Sequence, residues 1–353
     1  MSRAQEPQRP FFPFGNPFRM ISPKGAYLSP KLLHLLNTFE ETLAGRIKKL
    51  IQEADEDFIA LSWMKCATEL LCAIHTDVKS LINALELPVC DWEDKWLDVY
   101  LDNSVKLLDI CNAFSSEISR MKQGYIFLQC ALHNFRGTAP NQLKKARSSL
   151  DEWKQHINSK NPRLEKCIFA MDGLAQSLNL PKIKNSAKGK VLMRAVYGVR
   201  VVTLSICSIF DAIFSGSARK LVELQVLEGC LWAEAFTNFQ TCVNIKFRNT
   251  YNRRAVVLKE LESVHKSVEN LHQIFVKDGV DSVEAGMVQE IASDLGKSAE
   301  KLSRGLDLVV KEVDRFFQIV LTGRNALLDN LRFGSKISDG AQANKKVEGL
   351  MVR

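Results

Sequence analysis

Proline is crowded into one end of this chain, and that distribution limits what the rest of it can fold into. Six of the ten prolines lie before residue 31, and none follows Pro181 in a chain of 353 residues. Because proline breaks helices and is excluded from sheet interiors, the long proline-free stretch favours long helices over a turn-rich β-sandwich. Hydrophobic residues make up 46% of the chain, enough for a sizeable core, which excludes a wholly disordered protein.

Apolar residues recur at helical spacing through most of the chain. They follow steps of three and four in four stretches, at 32–50, 67–85, 257–275 and 302–327. Ser29-Pro30 and Asn161-Pro162 each predict a helix start, since a polar cap followed by proline suits the first helical turn. Alternating strand patterns of useful length are not apparent. The sequence therefore predicts an all-α fold, an elongated multi-helix bundle.

We predict three segments along the chain. Residues 1–28 form a flexible leader rich in proline and phenylalanine, residues 29–334 form a single helical-bundle domain, and residues 335–353 form a mobile tail. The leader is expected to be disordered because its prolines prevent a regular helix or strand. The tail is expected to be disordered because its apolar residues do not recur at helical spacing.

The cysteines and the most apolar segment bear on where the protein resides. Nine cysteines are scattered without a C-x-x-C pair, which indicates a reducing compartment. We expect an intracellular, cytoplasmic protein, with membrane association and a plastid location as alternatives.

Residues 191–214 are the candidate membrane span, but charged residues leave an uncharged run of only ten residues. Since a span needs about 20, a buried core helix is favoured over membrane insertion.

Known catalytic and nucleotide-binding motifs are absent from the sequence, so we predict a protein that is not an enzyme and has no cofactor. The nearest approach to a metal site is a doubled E-x-x-H motif, Glu262 with His265 and Glu269 with His272. Both copies lie on one predicted helix, about 10.5 Å apart at ~1.5 Å of rise per residue, which is too far for one dinuclear centre. We interpret the motif as a solvated helix flank and predict no metal.

Charge is segregated along the chain, whose net charge is +8. No acidic residue occurs from Gly173 to Phe210, and the basic patch in this stretch comprises Lys182, Lys184, Lys188, Lys190, Arg194 and Arg200. An acidic stripe comprises Asp91, Glu93, Asp94, Asp98 and Asp102.

Basic residues beside an apolar helix are typical of sites for phosphate or anionic lipid headgroups. The acidic stripe suits a basic partner, and the alternative is that the stripe and the patch match each other within the molecule. Nucleic acid is not expected, because aromatic residues for base stacking are sparse in the basic segment.

Several segments of the sequence resemble the plant BYPASS family. They are FFPFGNPF at 11–18, SWMK at 62–65, LPVCDWEDKWLDVYLDNSVKLLDICNAFSSEI at 87–118, SLDEWKQHINSKNPR at 149–163, NLPKIKNSAKGKVLMRAVYGV at 179–199 and GLDLVVKEVDRFFQIVLTGRNALLDNLR at 305–332. The resemblance spans nearly the whole chain, and the largely helical fold described for the family agrees with the periodicity found independently.

The resemblance implies a non-enzymatic plant developmental regulator, a helical scaffold needed for normal root and shoot growth. It would act by preventing overproduction of a root-derived, mobile, carotenoid-derived signal that arrests the shoot. One alternative is a membrane adaptor linked to secretion and the exocyst. Another is an enzyme or carrier for a small apolar metabolite in the bundle interior, which a pocket of about 300 Å³ or more with convergent polar groups would support. We expect a protein partner, with an anionic membrane surface as the alternative.

Overall fold

The computed structural model describes residues 28–86, 94–137, 139–178, 186–217, 221–227, 229–251, 258–277 and 285–348. Within these ranges the chain is helical apart from its connecting segments, and they contain no strand. The prediction of an all-α multi-helix bundle is confirmed. The predicted leader lies outside the described residues except for Leu28.

The helices follow one another along the chain with few residues between them. Their bounds are α1 Pro30–Asp57, α2 Leu61–Leu85, α3 Asp94–Phe135, α4 Pro140–Asn158, α5 Pro162–Gln176, α6 Ala187–Ser215, α7 Ala233–Tyr251, α8 Lys259–Lys277 and α9 Ala285–Glu348. Both predicted caps are confirmed. The Ser29 side chain accepts a hydrogen bond from the backbone N of Leu32 at 3.4 Å, and the Asn161 side chain accepts one from the N of Arg163 at 3.0 Å.

The helix α6 lies at the centre of the bundle. Nearly every residue from Val191 to Ile213 is buried, and α1, α2 and α5 pack against it, with a smaller contact from α3. Among the described residues it is the one helix long and apolar enough to cross a membrane. Its burial inside the bundle supports the interpretation as a core helix over membrane insertion.

The long helix α9 covers the other side of the bundle and packs against α2, α3 and α8. Its predicted apolar series is buried at Leu302, Leu306, Val309, Val313, Phe316, Val320 and Leu327. The series skips Gly323, which faces Tyr100 of α3: a Cβ there would lie 3.2 Å from the Tyr100 hydroxyl. The helix continues to Glu348, past the predicted end of the domain at 334, and Leu327 is its last described side chain that is buried. The boundaries of the domain and the tail stay predictions.

The turn between α1 and α2 is held by residues far away in the sequence. Ile59 is fully buried and has a φ of 65°, which a β-branched residue rarely adopts. Its carbonyl accepts a hydrogen bond from the N of Lys259 at 3.2 Å, and the Glu260 carboxylate accepts one from the N of Leu61 at 3.1 Å. Because α8 supplies these contacts, the sequence around the turn contains no signal for it, and we did not predict it.

Gly198 lets α6 approach its neighbours closely. A Cβ at this position would lie 2.9 Å from Cδ2 of Leu43 in α1 and 3.0 Å from the indole ring of Trp232. Both neighbours are buried, so neither can move without disturbing the core. The missing side chain thus brings α1 and the segment before α7 onto the central helix.

The substitution Gly198→Val should therefore lower the free energy of unfolding by about 1–3 kcal/mol, because it overpacks the core. The matched control is Gly45→Ala on the exposed side of α1, where a Cβ meets nothing within 4 Å. The control should raise that free energy by about 0.5–1 kcal/mol, since alanine is the better helix former. Denaturant titrations followed by circular dichroism measure both changes. A stabilising effect of Gly198→Val would contradict the close approach.

Candidate functional site

A cavity of about 450 Å³ lies between α2, α3, α6 and α9, with Leu174 of α5 completing its wall. Each helix contributes one face, on which the lining residues recur every three or four positions. The wall is mostly apolar and includes Val78, Leu107, Leu174, Val196, Val199, Val320 and Leu327. Exposed residues at the rim include Lys79, Asn83, Gln318 and Thr322, so the cavity opens to solvent. Its volume is within the range of about 300–1,000 Å³ that is usual for small-molecule sites.

His75 of α2 and Thr203 of α6 are neighbours in the wall of the cavity. The Nε2 atom of His75 lies 3.1 Å from the Thr203 hydroxyl, and the imidazole meets the Phe316 ring edge-on at a centroid distance of 5.0 Å. Loss of hydration lowers the pKa of His75 to about 4, and the positive charge of Arg200 acts in the same direction. His75 is therefore neutral at pH 7.

The guanidinium of Arg200 is withdrawn from water with an incomplete set of partners. Its Nη1 donates to the carbonyl of Ser177 at 3.2 Å, whereas its Nη2 is buried without a hydrogen-bond partner among the residues that the structure describes. Loss of hydration lowers the pKa of Arg200 to about 10, which leaves it charged at pH 7. The described residues that line the cavity include neither aspartate nor glutamate, so no carboxylate of the lining neutralises this charge.

Asn103 adds a second set of unmet hydrogen bonds. It is 4% exposed, and in the described part of the chain neither Oδ1 nor Nδ2 has a hydrogen-bond partner. The neighbouring Ser104 differs, because its hydroxyl donates to the carbonyl of Leu101 at 2.6 Å and accepts from Nη1 of Arg324 at 3.0 Å. A buried group left unsatisfied costs about 1–3 kcal/mol. The cavity therefore presents a positive charge, an amide donor and an amide acceptor to a ligand.

The structure divides the predicted basic patch. Lys182 and Lys184 lie outside the described residues. Lys188 and Lys190 are half-buried at the start of α6, and the Lys188 ammonium donates to the carbonyl of Glu86 at the end of α2, at 3.3 Å. Arg194 and Arg200 lie further along α6, where the helix is inside the bundle, and do not belong to a surface patch. The structure therefore separates the two arginines from the lysines, and the predicted anion, lipid or partner binding stays a prediction.

Arg194 forms a buried ion pair with Glu40 of α1. The Nε–Oε1 and Nη2–Oε2 distances are 2.5 and 3.1 Å, and Glu40 is 0% exposed. The same carboxylate accepts a hydrogen bond from the N of Leu231 at 2.7 Å, and Arg194 also donates to the carbonyl of Gly229 at 2.5 Å. The pair joins α1, α6 and the segment before α7, which is a structural role.

The acidic stripe is described only in part. Asp91 and Glu93 lie outside the described residues, as does the side chain of Asp94. Asp98 and Asp102 are exposed on α3, and Asp102 pairs with Lys106 one turn later at 2.5 Å. Where both side chains are described, no ion pair joins the stripe to the basic patch. The binding role of the stripe stays a prediction.

The doubled E-x-x-H motif lies on α8, where it contacts α4. Glu269 pairs with Lys154 at 2.5 Å, and that bond lowers the pKa of the Glu269 carboxyl. His272 lies 3.4 Å from Asp151, and burial lowers the pKa of its imidazole. Within the described part of the chain, no group of three or more His, Cys, Asp or Glu side chains could hold a metal ion.

Sequence reasoning raised an interior pocket as an alternative but did not identify the residues that line it, although α6 contained a signal for them. Arg200 and Thr203 are polar residues three positions apart in an apolar helix, and they share a face with Val196 and Val199. Asn103 lacks even that signal, since a single polar residue at the edge of an apolar stripe is common. The convergence of these positions from three helices depends on how the helices pack.

The comparisons with known proteins agree with the resemblance. A family model described as Protein BPS1 matches residues 69–313. The Arabidopsis thaliana protein named "Protein BPS1, chloroplastic" is 51% identical over 354 residues, which cover 100% of this chain and 99% of the relative. The protein of Oryza sativa subsp. indica named "UPF0496 protein 4" is 36% identical, covering 98% and 100%, and "Protein ROH1D" of Arabidopsis thaliana is 20% identical, covering 86% and 91%. No solved structure matches the chain.

His75 should make stability fall in acid. Its pKa is about 4 in the folded protein and 6.5 when unperturbed, so the unfolded chain takes up the proton first as the pH falls. The stability that depends on neutral His75 is present above pH 6.5 and is lost towards pH 4, by at most about 3 kcal/mol.

Unfolding midpoints at pH 7 and pH 4.5 should therefore differ less in His75→Gln than in the wild type. The control His34→Gln, at an exposed position of α1, should keep the wild-type difference. Equal differences in all three proteins would contradict a buried neutral His75.

Proposed function

Because this chain belongs to the BPS1 family, the BYPASS family of plant developmental regulators, we propose that it is a non-enzymatic helical scaffold needed for normal root and shoot growth. In this proposal it prevents overproduction of a root-derived, mobile, carotenoid-derived signal that arrests growth. The observation that carries the proposal is the alignment at 51% identity over the whole chain with the Arabidopsis relative.

Ion pairs that join separate helices support a scaffold. Arg194 with Glu40 and Lys154 with Glu269 join separate helices, which is a structural use of charge. Proton transfer at neutral pH needs a group whose pKa is close to 7, and the cavity histidine, His75, has a pKa of about 4.

Grafted plants test this role. The chain is expressed in an Arabidopsis line that lacks the relative of 51% identity, and wild-type shoots are grafted onto the expressing roots. These shoots should grow, whereas shoots grafted onto roots without the chain should arrest. The matched control expresses the chain in the shoot alone, which should not prevent arrest, because the signal arises in the root. Arrest on expressing roots would contradict the proposal.

The cytoplasmic location stays a prediction, and the plastid alternative gains support. The relative that aligns with the whole chain is named chloroplastic. A fluorescent protein fused to the C-terminus in the same plants should coincide with a plastid marker under this alternative. A diffuse cytoplasmic signal would support the first expectation instead.

For the partner we propose a protein, with an anionic membrane surface as the alternative and no role for nucleic acid. The basic residues support the membrane alternative, since each lysine near an anionic surface is worth about 1 kcal/mol. Lys188 is not a suitable test position, because its ammonium bonds the end of α2.

The triple variant Lys182→Glu, Lys184→Glu and Lys190→Glu tests the membrane alternative. It should bind vesicles of phosphatidylcholine and phosphatidylserine at least about tenfold more weakly than the wild type. The control reverses the same number of exposed charges elsewhere, at Lys48, Lys49 and Lys301, and should retain more of the binding. Circular dichroism checks that both variants are folded. Equal vesicle binding by the two variants would argue against the basic patch as a membrane site.

The cavity favours a second candidate function, a carrier for a small apolar metabolite. Its volume of about 450 Å³ exceeds the smallest usual ligand site, and polar groups from three helices converge on it. A carrier is favoured over an enzyme because the described residues of the cavity lining include no carboxylate to act as an acid–base partner of His75. Sequestering a metabolite is also one way in which a protein without catalytic activity can restrain a signal.

A further inference from the structure

The charge inside the cavity points to the class of its ligand. We propose that the cavity binds a small apolar carboxylic acid, whose carboxylate pairs with Arg200 and Asn103 and whose hydrocarbon part lies against the apolar wall. This inference rests on the second proposed function, that the cavity takes a small apolar molecule.

The first argument is the unbalanced charge. Among the described lining residues, Arg200 is the cation that lies inside the cavity, and these residues offer it no carboxylate. The other cations of the lining, Lys79 and Arg315, are exposed at the rim, and Arg315 already pairs with Glu312 at 3.3 Å. A charge withdrawn from water without a partner costs several kcal/mol. An anionic ligand offsets that cost, a neutral ligand does not, and a cationic ligand adds to it.

The second argument is the set of unmet hydrogen bonds. The Nη2 of Arg200 and the Nδ2 of Asn103 are donors that find no acceptor among the described residues. A carboxylate has two acceptor oxygens, and each can accept a hydrogen bond from such a donor. Its single charge also equals that of one guanidinium. A phosphate monoester carries up to twice that charge at pH 7, which would leave an excess in an apolar site.

The third argument comes from the apolar wall of the cavity and from its volume. Val196 and Val199 of α6 face Leu107 of α3 and Leu327 of α9 around the same space, so most of the surface offered to a ligand is hydrocarbon. At ~30 Å³ for each water-sized group, 450 Å³ holds about fifteen such groups. That is the size of a carboxylic acid with a chain of about ten carbons.

A purely structural role for Arg200 makes a different prediction. The hydrogen bond from its Nη1 to the carbonyl of Ser177 links α6 to the end of α5. This bond uses only one of the two Nη atoms of the guanidinium. If that link were the reason for the arginine, Arg200→Met would lower stability and leave ligand preference unchanged. If the arginine holds a ligand, Arg200→Met removes an unpaired buried charge, and the unfolding midpoint of the free protein should not fall by much.

Isothermal titration of the full-length protein with three probes of equal chain length tests the proposal. The probes are decanoic acid, decanol and decylamine, and at pH 7 the first is an anion and the last a cation. Decanoic acid should bind about tenfold to a hundredfold more tightly than decanol, as expected for a charge-assisted hydrogen bond, and decylamine should bind most weakly. This series needs no variant, so it decides the matter even if a substituted protein fails to fold.

Variants then assign the preference to a residue. Arg200→Met should reduce the affinity for decanoic acid to that for decanol, and Arg200→Lys should retain part of the preference. The matched control, Arg315→Met at the rim, should keep the affinity within about twofold, because exposed charges contribute little. Retention of the full acid preference in Arg200→Met would overturn the proposal. Equal binding of acid and alcohol by the wild type would overturn it too, but would leave the carrier function standing. Failure of every probe to bind would overturn both.

Discussion

The burial of α6 is the constraint on which the rest of the structure depends. An apolar helix of 29 residues cannot face water along its length. The helices α1, α2 and α5 therefore pack around it, and α3 makes a smaller contact with it. This covering makes most polar residues between Val191 and Ile213 internal. Each such residue must then find its hydrogen bonds inside the protein or remain without them. The cavity lies on the face of α6 where the internal bonds are incomplete.

Two arginines of the same helix show the two outcomes. Arg194 and Arg200 are six positions apart, so they point about 120° away from each other around the axis. Arg194 meets the Glu40 carboxylate and the carbonyl of Gly229, and its charge is balanced within the protein. Arg200 meets one carbonyl, and its charge is not balanced by the cavity lining. The first contact stabilises the bundle, whereas the second leaves a group whose binding energy is available to a ligand.

The sequence predicted what depends on local pattern. The cap at Ser29, the cap at Asn161 and the buried positions of α9 each follow from neighbours within one or two helical turns, and all are confirmed. Contacts between distant segments were not predictable in this way. The inward turn of Arg194 depends on Glu40 in α1, 154 residues away, so a count of basic residues along the chain grouped it with lysines at the start of the helix. Asn103 and Arg200 share a cavity only because α3 and α6 pack around the same space.

The turn at Ile59 also bears on the order in which the chain can fold. Its unusual backbone conformation costs of order 1–3 kcal/mol, and the bonds that offset this come from Lys259 and Glu260. During synthesis the N-terminal pair of helices leaves the ribosome long before those residues are made. The turn between α1 and α2 therefore lacks these two bonds until some 200 further residues have been translated, so the hairpin completes its own connection only after α8 has been made.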